Sequence, residues 1–251
     1  MRGHRLAWIA SDDPAHAFPP VHMALEEPNG LLAAGGDLSP ERLLCAYQRG
    51  IFPWYEDGQP ILWWSPDPRC VLTPRDFRLS RRMHRQARNT HIDVSFNHAF
   101  TAVIDACAGP RRSLQGTWIT ADMHRAYIDL HRLGWAHSVE VWRSGRLTGG
   151  LYGLAIGRVF FGESMFSRES NASKFALYAI CRHLADNGFT LFDCQTVSSH
   201  LLSLGAELLP RDRFAEHLAR DCIPADRHRN WPAAAVKFAD LARDVTGRSL
   251  Q

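Results

Sequence analysis

Apolar residues along this chain follow a helical rhythm in some stretches and a strand rhythm in others, which divides the chain into elements. Leu43, Leu44 and Tyr47 make one helical stripe, with Ser39 suited to cap it, Pro40 to its first turn and Gly50 to stop it. Ile92, Val94 and Phe96 alternate as in a half-buried strand, and Asn97 is then expected to cap a helix carrying Phe100, Val103, Ile104 and Cys107. Thr120 caps another, with Met123, Tyr127, Leu130 and Leu133 on its face and Gly134 at its close. Strands are expected over residues 138–143, 147–155 and 159–165, and the turns Arg143-Ser144-Gly145-Arg146 and Gly157-Arg158 predict antiparallel hairpins. Gly149, Gly150 and Gly153 in the middle strand point to a bulge or to a ligand approaching the backbone. A helix over residues 171–187, a strand over 190–194, a short helix over 199–204 and the run 207–209 complete the pattern.

A strand, helix, strand succession implies parallel pairing between residues 159–165 and 190–194. An antiparallel meander passing into such a unit is the order of the acetyltransferase-like (GNAT-type) α+β fold. The sheet then splays at the parallel junction, and ligands favour such points in open sheets. Residues 1–67 differ in character. They are rich in turns and aromatics and read as a small N-terminal α/β domain, with Trp63-Trp64-Ser65-Pro66-Asp67-Pro68-Arg69 as a rigid connector to the acetyltransferase-like domain over 68–251.

Composition narrows the class. A hydrophobic share of 45% and a charged share of 22% suit a globular protein with a sizeable core. The net charge of +3 is too small to predict nucleic-acid binding unless the charge is clustered. It is clustered: Arg75, Arg78, Arg81, Arg82, Arg85 and Arg88 lie close together with Asp76 the one acid among them, and a helix from Ser80 would bring Arg78, Arg81, Arg82 and Arg85 near one face. The six cysteines form no C-x-x-C pair and the thirteen histidines show no ligand spacing. Reduced thiols in a cytoplasmic protein, with neither zinc nor disulfides, are the expectation. No apolar run approaches the roughly 20 residues of a membrane span, and Met1-Arg2-Gly3-His4-Arg5 leads into no apolar core of a secretory signal.

The candidate chemistry sits where apolar runs end in polar groups. Phe161-Gly162-Glu163-Ser164 and Phe192-Asp193-Cys194-Gln195 each do so. Burying an amide without a partner costs on the order of 2–7 kcal/mol, so groups placed there need partners or a ligand. Taken alone, each has an ordinary explanation: Glu163 as a buried ion pair, Asp193-Cys194-Gln195 as a cap and turn, the tryptophans as interface packing, the arginines as a solvated face, Cys194 as a small buried thiol.

Several motifs carry a resemblance. Glu27-Pro28-Asn29-Gly30-Leu31-Leu32, Gly35-Gly36-Asp37-Leu38-Ser39, Tyr47-Gln48-Arg49-Gly50-Ile51-Phe52-Pro53-Trp54 and the 63–69 segment are four of them. Gly116-Thr117-Trp118-Ile119-Thr120, Gly162-Glu163-Ser164-Met165-Phe166-Ser167, Asn171-Ala172-Ser173-Lys174, Asp193-Cys194-Gln195 and Ser203-Leu204-Gly205-Ala206 add to them. Over residues 18–214 the chain resembles the leucyl/phenylalanyl-tRNA–protein transferases. The resemblance implies transfer of leucine or phenylalanine, with methionine a further candidate, from leucyl-tRNA or phenylalanyl-tRNA to proteins with N-terminal Arg or Lys, marking them for degradation as N-degrons. It implies Asp193 and Gln195 as the catalytic pair and Glu163 and Ser164 at the donor and acceptor site. It further implies Trp54 and Trp118 beside the terminal adenosine, Leu151 and Phe160 in the aminoacyl side-chain pocket, and no metal or organic cofactor. Leu151 replaces a methionine common in the family, a mild apolar swap. Ser198 stands where some members carry asparagine and receives no role.

The chemistry fits. The ester of an aminoacyl-tRNA is already activated, and an α-amine titrating near 7.7–8.0 needs no strong base. Gln195 is expected to accept from the attacking amine, and Asp193 to accept from the Gln195 amide and fix it; Glu163 or Asp193 is the candidate for the basic acceptor residue. A coenzyme A–dependent acetyltransferase is the first rival, disfavoured because Ser167-Arg168-Glu169-Ser170-Asn171-Ala172 lacks the glycines that would cradle a pyrophosphate. A non-catalytic RNA-binding module is the second, and it leaves Glu163, Asp193 and Gln195 unused.

Overall fold

The computed structural model describes residues 6–89, 91–109, 119–223 and 231–242, without the side chains of 87–89. The first part holds β1 (Ala7–Ile9), β2 (Leu31–Gly35), α1 (Pro40–Gln48), β3 (Phe52–Pro53) and β4 (Leu62–Trp64), and its sheet has the order β1-β2-β4-β3. Then come β5 (Arg69–Leu72), α2 (Arg81–Asn89), β6 (Ile92–Phe96), α3 (Phe100–Ala108), α4 (Ala121–Arg132), β7 (Ala136–Arg143), β8 (Arg146–Ile156) and β9 (Val159–Ser167). The chain closes with α5 (Ala172–Asp186), β10 (Leu191–Gln195), α6 (Ser199–Ser203), β11 (Glu207–Leu209), α7 (Arg211–Asp221), β12 (Val236–Lys237) and α8 (Phe238–Leu241). These strands form an eight-stranded sheet of order β11-β5-β10-β9-β8-β7-β6-β12. The fold is α+β with a mixed sheet.

Local chemistry accounts for most of these bounds. The Ser39 hydroxyl accepts from the Arg42 N–H at 3.4 Å and the Thr120 hydroxyl from Met123 N–H at 3.2 Å, so α1 and α4 begin where their caps sit. Asn97 is not a cap. It takes a left-handed conformation (φ 60°) and bonds across to Ser138, prolonging the β6–β7 pairing, while α3 starts three residues later. Short amide side chains tolerate that conformation, and the cross-strand bonds outweigh the cap. The 63–69 connector is also shorter than expected. Trp63 and Trp64 belong to β4 and Arg69 to β5, because their backbones find partners in both sheets.

The glycines of β8 answer to packing. A Cβ at Gly149 would sit 2.5 Å from that of Ala172, so α5 rather than a ligand approaches there. A Cβ at Gly153 would lie 2.1 Å from the Phe161 carbonyl, at a bulge between Tyr152 and Gly153.

The core lies on both faces of the large sheet. On one face Phe175, Leu177 and Ile180 of α5 meet Val139, Val141, Leu151 and Phe160. The other face joins α3 and α4 to the small sheet, so Leu43, Tyr47 and Trp63 share a core with Tyr127, Tyr152 and Phe161. The terminal segment completes the edge: β12 pairs with β6, and Phe238 is fully buried against Phe175 and Tyr178. Among the described residues no helix is long and apolar enough to cross a membrane.

Candidate active site

β9 and β10 run parallel through the pairs Leu191–Val159, Phe192–Phe160 and Asp193–Phe161, and there their pairing stops. β9 continues beside β8, while β10 turns away through a bulge against β5 between Asp193 and Gln195. The gap is a cavity of about 290 Å³. Leu151, Met165, Leu177, Phe192 and Leu201 make its apolar wall, and Glu163, Ser164 and Gln195 supply its polar atoms.

Glu163 is the hub. Its Oε1 accepts from the Tyr47 hydroxyl at 2.7 Å and from the Gln195 side-chain amide at 2.8 Å, and its Oε2 accepts from the Tyr127 hydroxyl at 2.7 Å. The two tyrosine oxygens also touch one another through a very short hydrogen bond. Burial pushes Glu163 up to about 7, the Tyr127 and Tyr47 hydrogen bonds pull it back, and the charge of Asp193 raises it again. Burial also raises both tyrosines well above their usual value, with the Glu163 charge adding to it.

Asp193 does a different job from the one expected of it. Its oxygens take two bonds from Arg69, Nε to Oδ1 at 2.8 Å and Nη2 to Oδ2 at 2.7 Å, and neither side chain is exposed. The third Arg69 bond goes to the Gly50 carbonyl at 3.0 Å, and its guanidinium lies between the Phe52 and Phe214 rings. Asp193 Oδ1 also accepts from the backbone N–H of Gln195 at 2.8 Å. It therefore holds the Gln195 backbone, at φ 64°, while Glu163 holds the side chain. Such a strained position persists only where its surroundings enforce it.

The remaining sequence expectations divide. Leu151, Ser164 and Trp54 line the cavity, Trp54 at its half-exposed rim with its ring 5.5 Å from Trp64. Phe160 does not. Its partner strand is still paired at that register, so the ring lies beneath the sheet, 5.2 Å from Phe192, and Phe192 meets the cavity instead. Trp118 lies outside the described residues. Arg81, Arg82 and Arg85 are exposed along α2, but Arg78 precedes the helix and turns back onto the Phe77 carbonyl at 3.1 Å. The sequence reading missed Arg69, Tyr47 and Tyr127 as site groups. Their signal was present: a buried arginine needs a carboxylate, and a tyrosine on a core stripe needs a partner for its hydroxyl. Among the described residues no cluster of side chains fit to hold a metal ion occurs.

An apolar cavity with an oriented amide and a carboxyl titrating near neutrality on its floor is equipment for acyl transfer. Residues 36–67 match the model of the leucyl/phenylalanyl-tRNA protein transferase N-terminal domain, and residues 71–219 that of leucyl/phenylalanyl-tRNA protein transferase. A relative from Pseudomonas entomophila (strain L48) is 59% identical over 215 residues, covering 86% of this chain and 94% of that protein. Another, from Aromatoleum aromaticum (strain DSM 19018 / LMG 30748 / EbN1), is 60% identical over 229 residues, covering 91% and 96%. Both bear the name leucyl/phenylalanyl-tRNA–protein transferase. Among solved structures, a GCN5-related N-acetyltransferase from Kribbella flavida resembles the chain with a TM-score of 0.37 and 13% identity over 68% of this chain and 61% of that one, too slight a likeness to carry weight. The chain belongs to the leucyl/phenylalanyl-tRNA–protein transferase family, whose members are aminoacyltransferases.

Proposed function

We propose that this protein moves leucine or phenylalanine, with methionine a further donor, from its tRNA to the N-terminal Arg or Lys of an acceptor protein in the cytoplasm, creating an N-degron. The carrying observation is the Gln195 amide fixed by Glu163 at the floor of an apolar cavity. Facing a carboxyl oxygen, the amide must present its NH₂, so its carbonyl oxygen is the half left for a substrate.

The acceptor amine enters at that oxygen and attacks the ester carbonyl of the donor, whose leucine or phenylalanine side chain lies against Leu151, Met165, Leu177 and Phe192. A bond forms from nitrogen to carbonyl carbon, the bond to the ribose oxygen breaks, and the tRNA leaves with a proton. Orientation of this kind is worth about 7–11 kcal/mol at best. Glu163, pushed up to about 7, is matched to take the ammonium's proton and return it to the leaving oxygen. Three of its roughly four acceptor positions are filled, leaving one for the amine. Asp193, sealed by Arg69, is unsuited to meet the acceptor's basic side chain. Trp54 at the rim suits the terminal adenosine, and Arg81, Arg82 and Arg85 offer a track for acceptor-stem phosphates.

The test is to incubate the protein with labelled leucyl-tRNA and a peptide beginning with Arg. Label on the peptide's α-amine supports the reading. Label left on tRNA with every acceptor tried, or acetyl transfer from acetyl-CoA in its place, refutes it.

A further inference from the structure

A pair of thiols stands behind the cavity wall and has no part in the transfer described above. Cys70 on β5 is fully buried, and Cys194 on β10 is part-exposed and lines the cavity. In the β5–β10 register Asp193 faces Val71 and Gln195 faces Cys70, so Cys194 is the extra residue of the bulge and lies beside Cys70. Both side chains belong to the α5 side of the sheet. The Cys194 thiol already hydrogen-bonds the Cys70 sulfur, and the Ser198 N–H points at the same sulfur.

We propose that Cys70 and Cys194 are an oxidation site: a peroxide entering the cavity converts them to a disulfide, and the bridge switches transfer off. Hydrogen peroxide removes two electrons from the thiols; its O–O bond breaks, both S–H bonds are lost, one S–S bond forms and two waters leave. Cys194 lines the cavity and meets the peroxide first: its sulfur takes one oxygen as the O–O bond breaks and one water leaves, and the Cys70 thiol beside it then displaces the second water to close the bridge. The bridge acts on the reaction through its neighbours. Cys194 lies between Asp193, which anchors the Gln195 backbone, and Gln195 itself. Drawing its sulfur onto β5 shifts the bulge that aims the amide, and a displacement of about 1 Å can cost about a hundredfold in rate.

Formation of the bond is independent of the reaction assigned to the cavity; its effect on rate rests on that assignment. The experiment treats the full-length protein with hydrogen peroxide, measures intact mass, maps bridged peptides after blocking free thiols, and assays leucine transfer before and after dithiothreitol. The result expected is loss of the mass of two hydrogen atoms, a peptide joining Cys70 to Cys194, and a fall in transfer of about a hundredfold that dithiothreitol reverses. Cys70→Ala, at a position that does not itself line the cavity, keeps its transfer through the same treatment. An unchanged mass, a bridge from Cys194 to Cys181, oxygen added without a bridge, or equal inactivation of Cys70→Ala overturns the proposal. Absence of transfer in the reduced protein sinks the functional reading instead, and the peptide map still decides the bridge.

Discussion

Arg69 and Glu163 solve the same problem in opposite ways, for each places an ionisable group in a buried position. Arg69 is matched with Asp193 through paired bonds and clamped between two rings, so both charges persist. Removing one partner strands the other: Arg69→Ala should cost about 3–5 kcal/mol, read as a lower urea midpoint, and pairing it with Asp193→Asn should recover much of that. An additive double variant would contradict the coupling. Glu163 has neutral donors around it, and burial pushes it up to about 7 instead. An acid whose pKa rises on folding holds its proton more tightly in the folded chain. Its contribution is therefore fully present below the unfolded value and is lost as pH climbs from about 4.5 to about 7. Relative to Glu163→Gln, the native protein should lose stability across that window, measured by urea unfolding at several pH values. A gap that stays constant would remove Glu163 as the titrating group.

At the scale of elements, what the sequence made legible was local. The Ser39 and Thr120 caps, the hairpins of β7, β8 and β9 and the parallel return to β10 depend on residues near one another, and each formed as read. The site's partners are remote. Tyr47 and Tyr127 are separated by 80 positions and Arg69 and Asp193 by 124, so no spacing rule could pair them. That is why Asp193 was expected to hold the Gln195 amide, a task that falls to Glu163. The helix α2 belongs to this scale too. It begins at Arg81, tied to the start of α5 where Asn171 donates to Gln86 at 2.8 Å. Reversing Arg81 and Arg85 to Glu should weaken binding of charged tRNA and lower its salt slope by about one unit for each phosphate no longer neutralised. An unchanged slope, in filter binding across a salt series, would take α2 off the tRNA path.

Taken whole, the molecule has two sheets but one continuous core between them. Tyr47 comes from before the connector at residues 65–68, yet its hydroxyl completes the carboxyl cluster that β9 and β10 present. Leu43, Trp63 and Tyr127 lie in the same buried cluster. Sharing of this kind predicts a single cooperative transition, with tryptophan fluorescence and far-ultraviolet circular dichroism giving the same midpoint. Two separated midpoints would mean that residues 1–67 fold as a unit of their own.

The account turns on an amide, not a base, facing the acceptor amine. Gln195→Glu tests it most directly, since it keeps the shape and replaces the neutral oxygen with a carboxylate beside Glu163. Steady-state transfer of leucine to an Arg-N-terminal peptide, measured with the folded state verified by circular dichroism, should fall by about a hundredfold in kcat, the usual cost of losing one preorganised polar group. A variant that transfers at the full rate would show that a proton acceptor is wanted at that position and would contradict the account.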